Sequence, residues 1–179
     1  MTRVDVRATH TADLGPGGLA ALRALLAAAF AEDLVEGDEE HALGGLHVLA
    51  TDGADLVGHA AVVMRRLLHE GRALRTGYVE AVAVRPDRQG QGVGAAVMAE
   101  VERVVRGGYR LGALSSTTDA LGFYAARGWQ RWGGSASVLT PAGLQPTPED
   151  EGAIFVLPVD VELVPGGNLA CDWRDGDVW

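Results

Sequence analysis

The sequence has no lysine: all 15 basic residues are arginine, against 24 acidic ones, for a formal net charge of −9 over 179 residues. No basic run is present, so nothing clusters cations against phosphates as nucleic-acid binding requires. An acidic surface instead steers cationic partners by long-range attraction. The single cysteine, Cys171, excludes an intrachain disulfide and a zinc site of the multi-cysteine kind. The five histidines, His10, His41, His47, His59 and His69, follow no metal-ligand spacing and are expected to be structural, with His41 in an acidic stretch the one to watch. No run of about 18 apolar residues marks a membrane span, and the first residues lack the apolar core of a signal peptide. The expectation is a soluble, cytoplasmic protein. Aromatic residues are scarce at 6%, yet 47% hydrophobic residues suffice for a substantial core.

Periodicity gives the order of elements. Val4–Thr9 reads as a strand. Leu19, Leu22, Leu26 and Phe30 recur at helical spacing behind Pro16. Ala31–Leu43 is acidic and reads as a loop with a short helix. Leu46–Thr51 and Leu56–Leu68 read as strands joined by Thr51-Asp-Gly-Ala, and His69-Glu-Gly-Arg is a second hairpin turn. Leu74–Val84 is almost wholly apolar and so is expected to be central and covered on both faces. Val93, Val97, Val101, Val104 and Val105 make one stripe of a helix over Gly92–Arg106, stopped by Gly107 and Gly108. A strand at Tyr109–Leu114, a helix at Asp119–Arg127 and strands at Ser135–Leu139 and Ala153–Val161 follow. The loop Pro141–Gly152 and the tail Pro165–Trp179 show no period. Hairpins followed by one strand–helix–strand unit predict an α/β chain of the α+β kind: a mixed, mostly antiparallel sheet with one parallel crossover and helices on both faces. With no linker in view, residues 1–179 are expected to be a single domain.

The chemistry concentrates in Gln89-Gly-Gln-Gly-Val-Gly94, which follows an apolar strand and opens a helix. Glycines allow close backbone approach, and unpaired N–H groups at a helix start attract phosphate oxygens. Arg85 and Arg88 add charge. Gly90-x-Gly-x-x-Ala95 also fits a dinucleotide fingerprint. That reading wants the first glycine directly after the strand and an acidic residue about 20 positions on; here a polar segment intervenes and the next strand ends in Ser115-Ser116. A purely structural turn is the other alternative. Downstream, Asp119-Ala-Leu-Gly-Phe-Tyr-Ala-Ala-Arg-Gly-Trp129 is a short helix ending in Tyr-x-x-x-Gly-aromatic.

Val82–Gly94 together with this helix resembles the two signature motifs of the GNAT superfamily of acetyl-CoA-dependent N-acetyltransferases. The resemblance implies the GNAT fold and acetyl-CoA as cosubstrate, with no metal. It implies cofactor contacts at Val82, Ala83, Val84, Arg88, Gln89, Gly90, Gln91, Gly92, Val93 and Gly94. It places Tyr124 beside the thioester sulfur, and backbone N–H groups around Val82 on the thioester oxygen where the strand breaks. Glu80, the one charge in the apolar run Tyr78–Val84, is the candidate general base, because desolvation raises a carboxyl pKa toward neutrality. A solvated strand edge or an arginine partner is the alternative. Tyr124 is the candidate acid, against a plain core aromatic beside Phe123.

The chain further resembles the aminoglycoside 2'-N-acetyltransferases of actinobacteria. The similarity runs through His10-Thr-Ala-Asp-Leu, Gly44-Gly-Leu-His, His59-Ala-Ala-Val, Gly77-Tyr-Val-Glu, Leu111-Gly-Ala-Leu-Ser-Ser, Phe155-Val-Leu-Pro and the ending Cys171-Asp-Trp-Arg-Asp-Gly-Asp-Val-Trp179. It implies an aminoglycoside substrate held at Asp33, Asp38, Glu80, Asp150, Asp177 and the Trp179 carboxylate, with Ser115 as a neutral contact. It implies that the tail 165–179 joins the substrate cleft, that the protein is a homodimer, and that it serves antibiotic resistance. Two positions depart from the family: Ala81 stands where glycine is expected and Glu39 where tryptophan is expected. Another small amine as acceptor, such as a cell-wall amino sugar or a polyamine, and a non-catalytic acetyl-CoA sensor remain as alternatives.

Overall fold

The computed structural model describes residues 4–31 and 37–179. In chain order these form β1 (Asp5–His10), α1 (Gly15–Phe30), α2 (Asp38–Ala42), β2 (Leu46–Asp52), β3 (Asp55–His69), β4 (Arg72–Val84), α3 (Val93–Gly108) and β5 (Leu111–Ser115). There follow α4 (Leu121–Ala126), β6 (Gln130–Arg131), β7 (Ser135–Thr140), β8 (Gly143–Pro146), β9 (Ile154–Pro158) and β10 (Asn168–Asp172). The residues gather into two compact units. One comprises the chain up to Val63 with Val79–Val104, the other Met64–Tyr78 with Val105–Trp179.

The first unit is built on antiparallel pairing of β1 with β2 and of β2 with β3, with His47 opposite Ala61 and Leu49 opposite His59. The stripe read from sequence does face inward: Leu22, Leu25 and Leu26 of α1 are buried with Ala83 of β4, and Phe30, Leu56 and Ala81 pack around them. The start of α3 sits close against β3 because residue 58 is glycine. A Cβ there would lie 2.6 Å from Val93 Cγ1 and 3.2 Å from both Ala50 Cβ and Val97 Cγ2. At the end of β4, the Arg85 N–H still donates to Val57 O at 2.9 Å. Pro86 then holds Arg85 extended (φ −52°, ψ 133°), so the chain leaves the strand through a 3-10 turn over Pro86–Arg88 before α3 begins.

In the second unit β4 pairs in parallel with β5, with Thr76 opposite Leu111, which is the crossover expected from the strand–helix–strand pattern. β5 pairs antiparallel with β9, and β9 with β6. Gly77 and Gly112 give room here: a Cβ at Gly77 would meet the Tyr109 ring at 2.8 Å, and one at Gly112 would meet Val105 Cγ1 at 2.9 Å. Tyr124, Trp129 and Phe155 form an aromatic cluster, with Tyr124 centroids 6.4 Å and 5.8 Å from the other two. Gly128 (φ 87°) turns the chain out of α4.

Three expectations need correction. α3 is not stopped by the glycines but runs through Gly107 to Gly108, and the N–H of the next residue, Tyr109, still reaches Val105 O at 3.0 Å. The stretch 141–152 is not plain loop, for it holds β8, paired antiparallel with β7, and a 3-10 turn at Pro148–Asp150. The tail is not irregular either: β10 pairs in parallel with β7 along Asn168–Asp172, a second parallel pair, and touches β3 at Leu68. Arg65 of β3 holds it, donating from Nε to Asp172 Oδ1 at 2.7 Å and from Nη2 to Asp172 O at 2.8 Å. Among the described residues no helix is long and apolar enough to cross a membrane.

Candidate active site

In the first unit the site is organised by one strained residue. Ala81 has φ 50°, the left-handed region, three residues before the end of β4. A non-glycine residue there costs roughly 1–2 kcal/mol. The left-handed turn breaks the strand repeat between Glu80 and the Val82 amide. The break expected near Val82 is therefore present, at the residue where the family resemblance called for glycine. Glu80 and Val82 flank it, both half-buried, with Ala83 buried and Val84 half-buried behind.

The glycine loop follows. Gly90 (φ 71°) and Gly92 (φ 85°) adopt backbone that favours glycine, and a Cβ on either would meet nothing within 4 Å. The loop surface in front of these residues is thus open to a ligand. Gln89 and Gln91 brace the loop: Gln89 Nε2 donates to Val84 O at 3.3 Å and Gln91 Nε2 to Asp87 O at 2.8 Å. Val93 is buried under the loop, and Gly94 lies in the first turn of α3, where the leading N–H groups have no intrahelical acceptor. The flanking arginines are not bare charges. Arg88 is ion-paired with Asp52, and Arg85 with Asp87 at 2.7 Å and Asp55 at 3.6 Å. The groups the loop offers an anion are therefore chiefly backbone N–H groups and the helix start.

Asp38 opens α2 behind Gly37 (φ 108°) and is half-buried. Asp33 lies outside the described residues. Glu39, the departure from tryptophan, is tied to α1 by Arg23, whose Nε donates to Oε1 at 2.8 Å and Oε2 at 2.9 Å.

In the second unit Tyr124 is 6% exposed, and burial pushes its hydroxyl up to about 12. Asp150, Asp177 and Trp179 come together here. The Asp150 carboxyl is raised from its ordinary value, first by burial and then by the charges of Asp177 and Glu149. Trp179 is 3% exposed and its Nε1 donates to Thr147 Oγ1 at 3.0 Å. Asp177 Oδ1 accepts from the Trp179 N–H at 3.2 Å, and Arg174 Nη2 donates to the backbone oxygen of Trp179 at 3.1 Å. The tail is thus hooked onto the Thr147–Asp150 turn, the Trp179 ring is turned inward, and its backbone oxygen already has a guanidinium donor. Ser115 is exposed at the end of β5, opposite Ile154; the next N–H, of Ser116, donates to Ala153 O, and the Ala153 N–H to Asp150 O. Among the described residues no group of three or more His, Cys, Asp or Glu side chains is placed to hold a metal.

The first unit joins two histidines, His47 and His59, that share no spacing in the sequence. His59 Nδ1 is 2.8 Å from Ala81 O, His47 Nδ1 is 2.9 Å from His59 Nε2, and Thr11 Oγ1 is 2.8 Å from His47 Nε2. Both rings are wholly buried. Only the β2–β3 register reveals this, by setting residues 47 and 59 diagonally across the ladder.

Comparison with known proteins agrees with this geometry. Residues 18–129 match the model of the acetyltransferase (GNAT) family. The chain is 51% identical over 177 residues to an aminoglycoside 2'-N-acetyltransferase of Mycolicibacterium fortuitum, covering 97% of this chain and 91% of that protein. Among solved structures it resembles a GNAT family acetyltransferase of Brucella melitensis in complex with acetyl-CoA (TM-score 0.65, 21% identity, 98% of each chain). It also resembles the GNAT family protein YhbS of Escherichia coli in complex with CoA (TM-score 0.67, 19% identity, 98% of this chain and 92% of that one).

Proposed function

The chain belongs to the acetyltransferase (GNAT) family, and from that premise we propose that it transfers the acetyl group of acetyl-CoA to the 2'-amine of an aminoglycoside. The observation that carries the reading is the break at Ala81 followed by the open glycine loop at the start of α3. The first offers an amide to a thioester oxygen and the second offers amides to a pyrophosphate. The half-identical Mycolicibacterium relative supports the acceptor, as does the net charge of −9, which draws in polycations.

In this reading Val82, Ala83 and Val84 and the loop residues Arg88, Gln89, Gly90, Gln91, Gly92, Val93 and Gly94 hold acetyl-CoA. Asp33, Asp38, Asp150 and Asp177, with Ser115 and the Trp179 carboxylate, hold the acceptor. Glu80, through a water, takes one proton from the substrate ammonium. The freed lone pair adds to the acetyl carbon, forming the C–N bond, and the carbonyl electrons move onto oxygen facing the Val82 N–H. Their return breaks the C–S bond and expels the CoA thiolate. The second proton shed by nitrogen neutralises that thiolate, which Tyr124 stabilises by donating a hydrogen bond. Acetylation removes one positive charge from the drug, which is the physical basis for an antibiotic-resistance role. The protein acts in the cytoplasm, where acetyl-CoA is made, as a homodimer; Leu139 (41% exposed) and Leu144 (53%) on β7 and β8 are apolar side chains such pairing would cover.

The test is thiol release from acetyl-CoA with two aminoglycosides that differ only in an amino or a hydroxyl group at the 2' position. Turnover with the amine alone is expected. Equal turnover would move the acetyl group to another amine, and none with either would turn the reading toward a different acceptor or a non-catalytic binder.

A further inference from the structure

We propose that His47 and His59 polarise the Ala81–Val82 peptide group, so that the Val82 N–H is a stronger donor to the thioester oxygen than an ordinary strand amide. The inference rests on the proposed role of that amide, and it makes His59 a positioning residue that acts through the peptide bond.

The hydrogens of the relay are fixed by its two ends. The Ala81 carbonyl can only accept, so His59 Nδ1, 2.8 Å away, must carry the proton. The Gly44 N–H can only donate, and it donates to Thr11 Oγ1 at 2.9 Å. The Thr11 hydroxyl keeps one hydrogen to give, and its nearer acceptor is His47 Nε2 at 2.8 Å rather than Gly45 O at 3.3 Å. A neutral imidazole has one donor and one acceptor nitrogen. With Nδ1 of His59 protonated, its Nε2 accepts, and the 2.9 Å contact then requires His47 Nδ1 to donate. His47 Nε2 is left to accept from Thr11, as the geometry provides. Five groups in a row therefore point the same way: Gly44 N–H, Thr11 O–H, His47 N–H, His59 N–H, Ala81 C=O. Running the relay in reverse would leave two acceptors facing each other at Ala81, and a charged ring is opposed by burial, which lowers His47 and takes His59 down to about 4.

The end of the relay is not an arbitrary carbonyl. The Ala81 oxygen and the Val82 nitrogen belong to one peptide group, whose resonance moves electron density from nitrogen to oxygen. A donor on the oxygen favours that shift and makes the N–H more acidic, and hydrogen bonds in series strengthen one another by roughly 10–30% each. Because the peptide is trans, the N–H points away from the imidazole and is left for another partner. The same bond also helps to hold the left-handed Ala81 that creates the break.

The test uses the whole protein. Two-bond 1H–15N correlation spectra at pH 7 should show both rings as Nδ1–H tautomers. His59→Asn puts an amide donor where Nδ1 stood, whereas His59→Gln puts its amide where Nε2 stood and loses the donor to Ala81. With unfolding midpoints confirming that both variants fold, His59→Asn should keep kcat within about threefold. His59→Gln should lose about tenfold in kcat with KM for acetyl-CoA unchanged, less than the roughly 10²–10³-fold that follows loss of a whole oxyanion donor. Its Val82 amide proton should move upfield. An Nε2–H tautomer on either ring, wild-type kcat in His59→Gln, or equal loss in both variants would overturn the proposal. A protein that acetylates no amine would remove the function and this inference together; reversed tautomers in an active enzyme would remove this inference alone.

Discussion

Replacing Tyr124 by phenylalanine asks what the tyrosine does for the leaving group. Its ring stays packed against Trp129 and Phe155, so the change removes one oxygen from a side chain that is 6% exposed. Burial holds that hydroxyl at about 12, whereas an ordinary thiol sits near 8.5; the gap of about 3.5 units makes full proton transfer uphill by nearly 5 kcal/mol. The role proposed for Tyr124 is therefore that of a hydrogen-bond donor to the thiolate rather than its proton source. A hydrogen bond to a charged group is worth about 1.5–3 kcal/mol, so kcat should fall roughly 10- to 150-fold. The assay is thiol release at saturating acetyl-CoA and acceptor between pH 6 and 10.5. Wild type should show no basic limb from Tyr124 in that range, and Tyr124→Phe should lower the whole profile without changing its shape. Undiminished kcat, or a wild-type basic limb that vanishes in the variant, would refute the reasoning.

Glu80→Gln should lose about 10²–10⁴-fold in kcat/KM for the amine, the usual contribution of a general base, with acetyl-CoA affinity by calorimetry unchanged. Gly58→Ala forces a methyl to within 2.6 Å of Val93 Cγ1; overpacking of that kind costs about 1–3 kcal/mol. Urea unfolding should show the loss, and KM for acetyl-CoA should rise as the start of α3 shifts. His59 is depressed in the folded state from 6.5 to about 4, because burial disfavours its charged form. Its contribution to stability is present above pH 6.5 and is lost as pH falls through about 4, a decline of about 3 kcal/mol. Urea midpoints measured from pH 7 to pH 4 should follow that decline, and it should shrink in His59→Asn.

What the sequence makes legible is local. The apolar run of β4, the valine stripe of α3 and the glycines at 90 and 92 each carry their structure within a short window, and the fold holds them where the spacing sets them. β10 escapes such a reading because its Leu169, Ala170 and Cys171 are all buried without alternation, and its partner strand lies more than thirty residues earlier. β8 reads as loop because it is a four-residue exposed edge ending in proline. The acidic candidates were visible as residue types only; that Asp150, Asp177 and Trp179 meet depends on the hook between Trp179 and Thr147. The histidine relay was hidden for the same reason, since residues 47 and 59 are strangers until the β2–β3 register joins them. Ala81 was legible as a departure, but not as a strained one. Its methyl packs against the α1 cluster, which offsets part of the cost of φ 50°.

In the proposed reaction the acetyl group goes to one particular nitrogen. The most direct measurement is to incubate the protein with 13C-acetyl-CoA and an aminoglycoside bearing several free amines, and to locate the new amide by two-dimensional NMR. A single acetyl group on the 2'-nitrogen is expected; an acetyl group on any other amine, or none at all, would refute the proposed reaction.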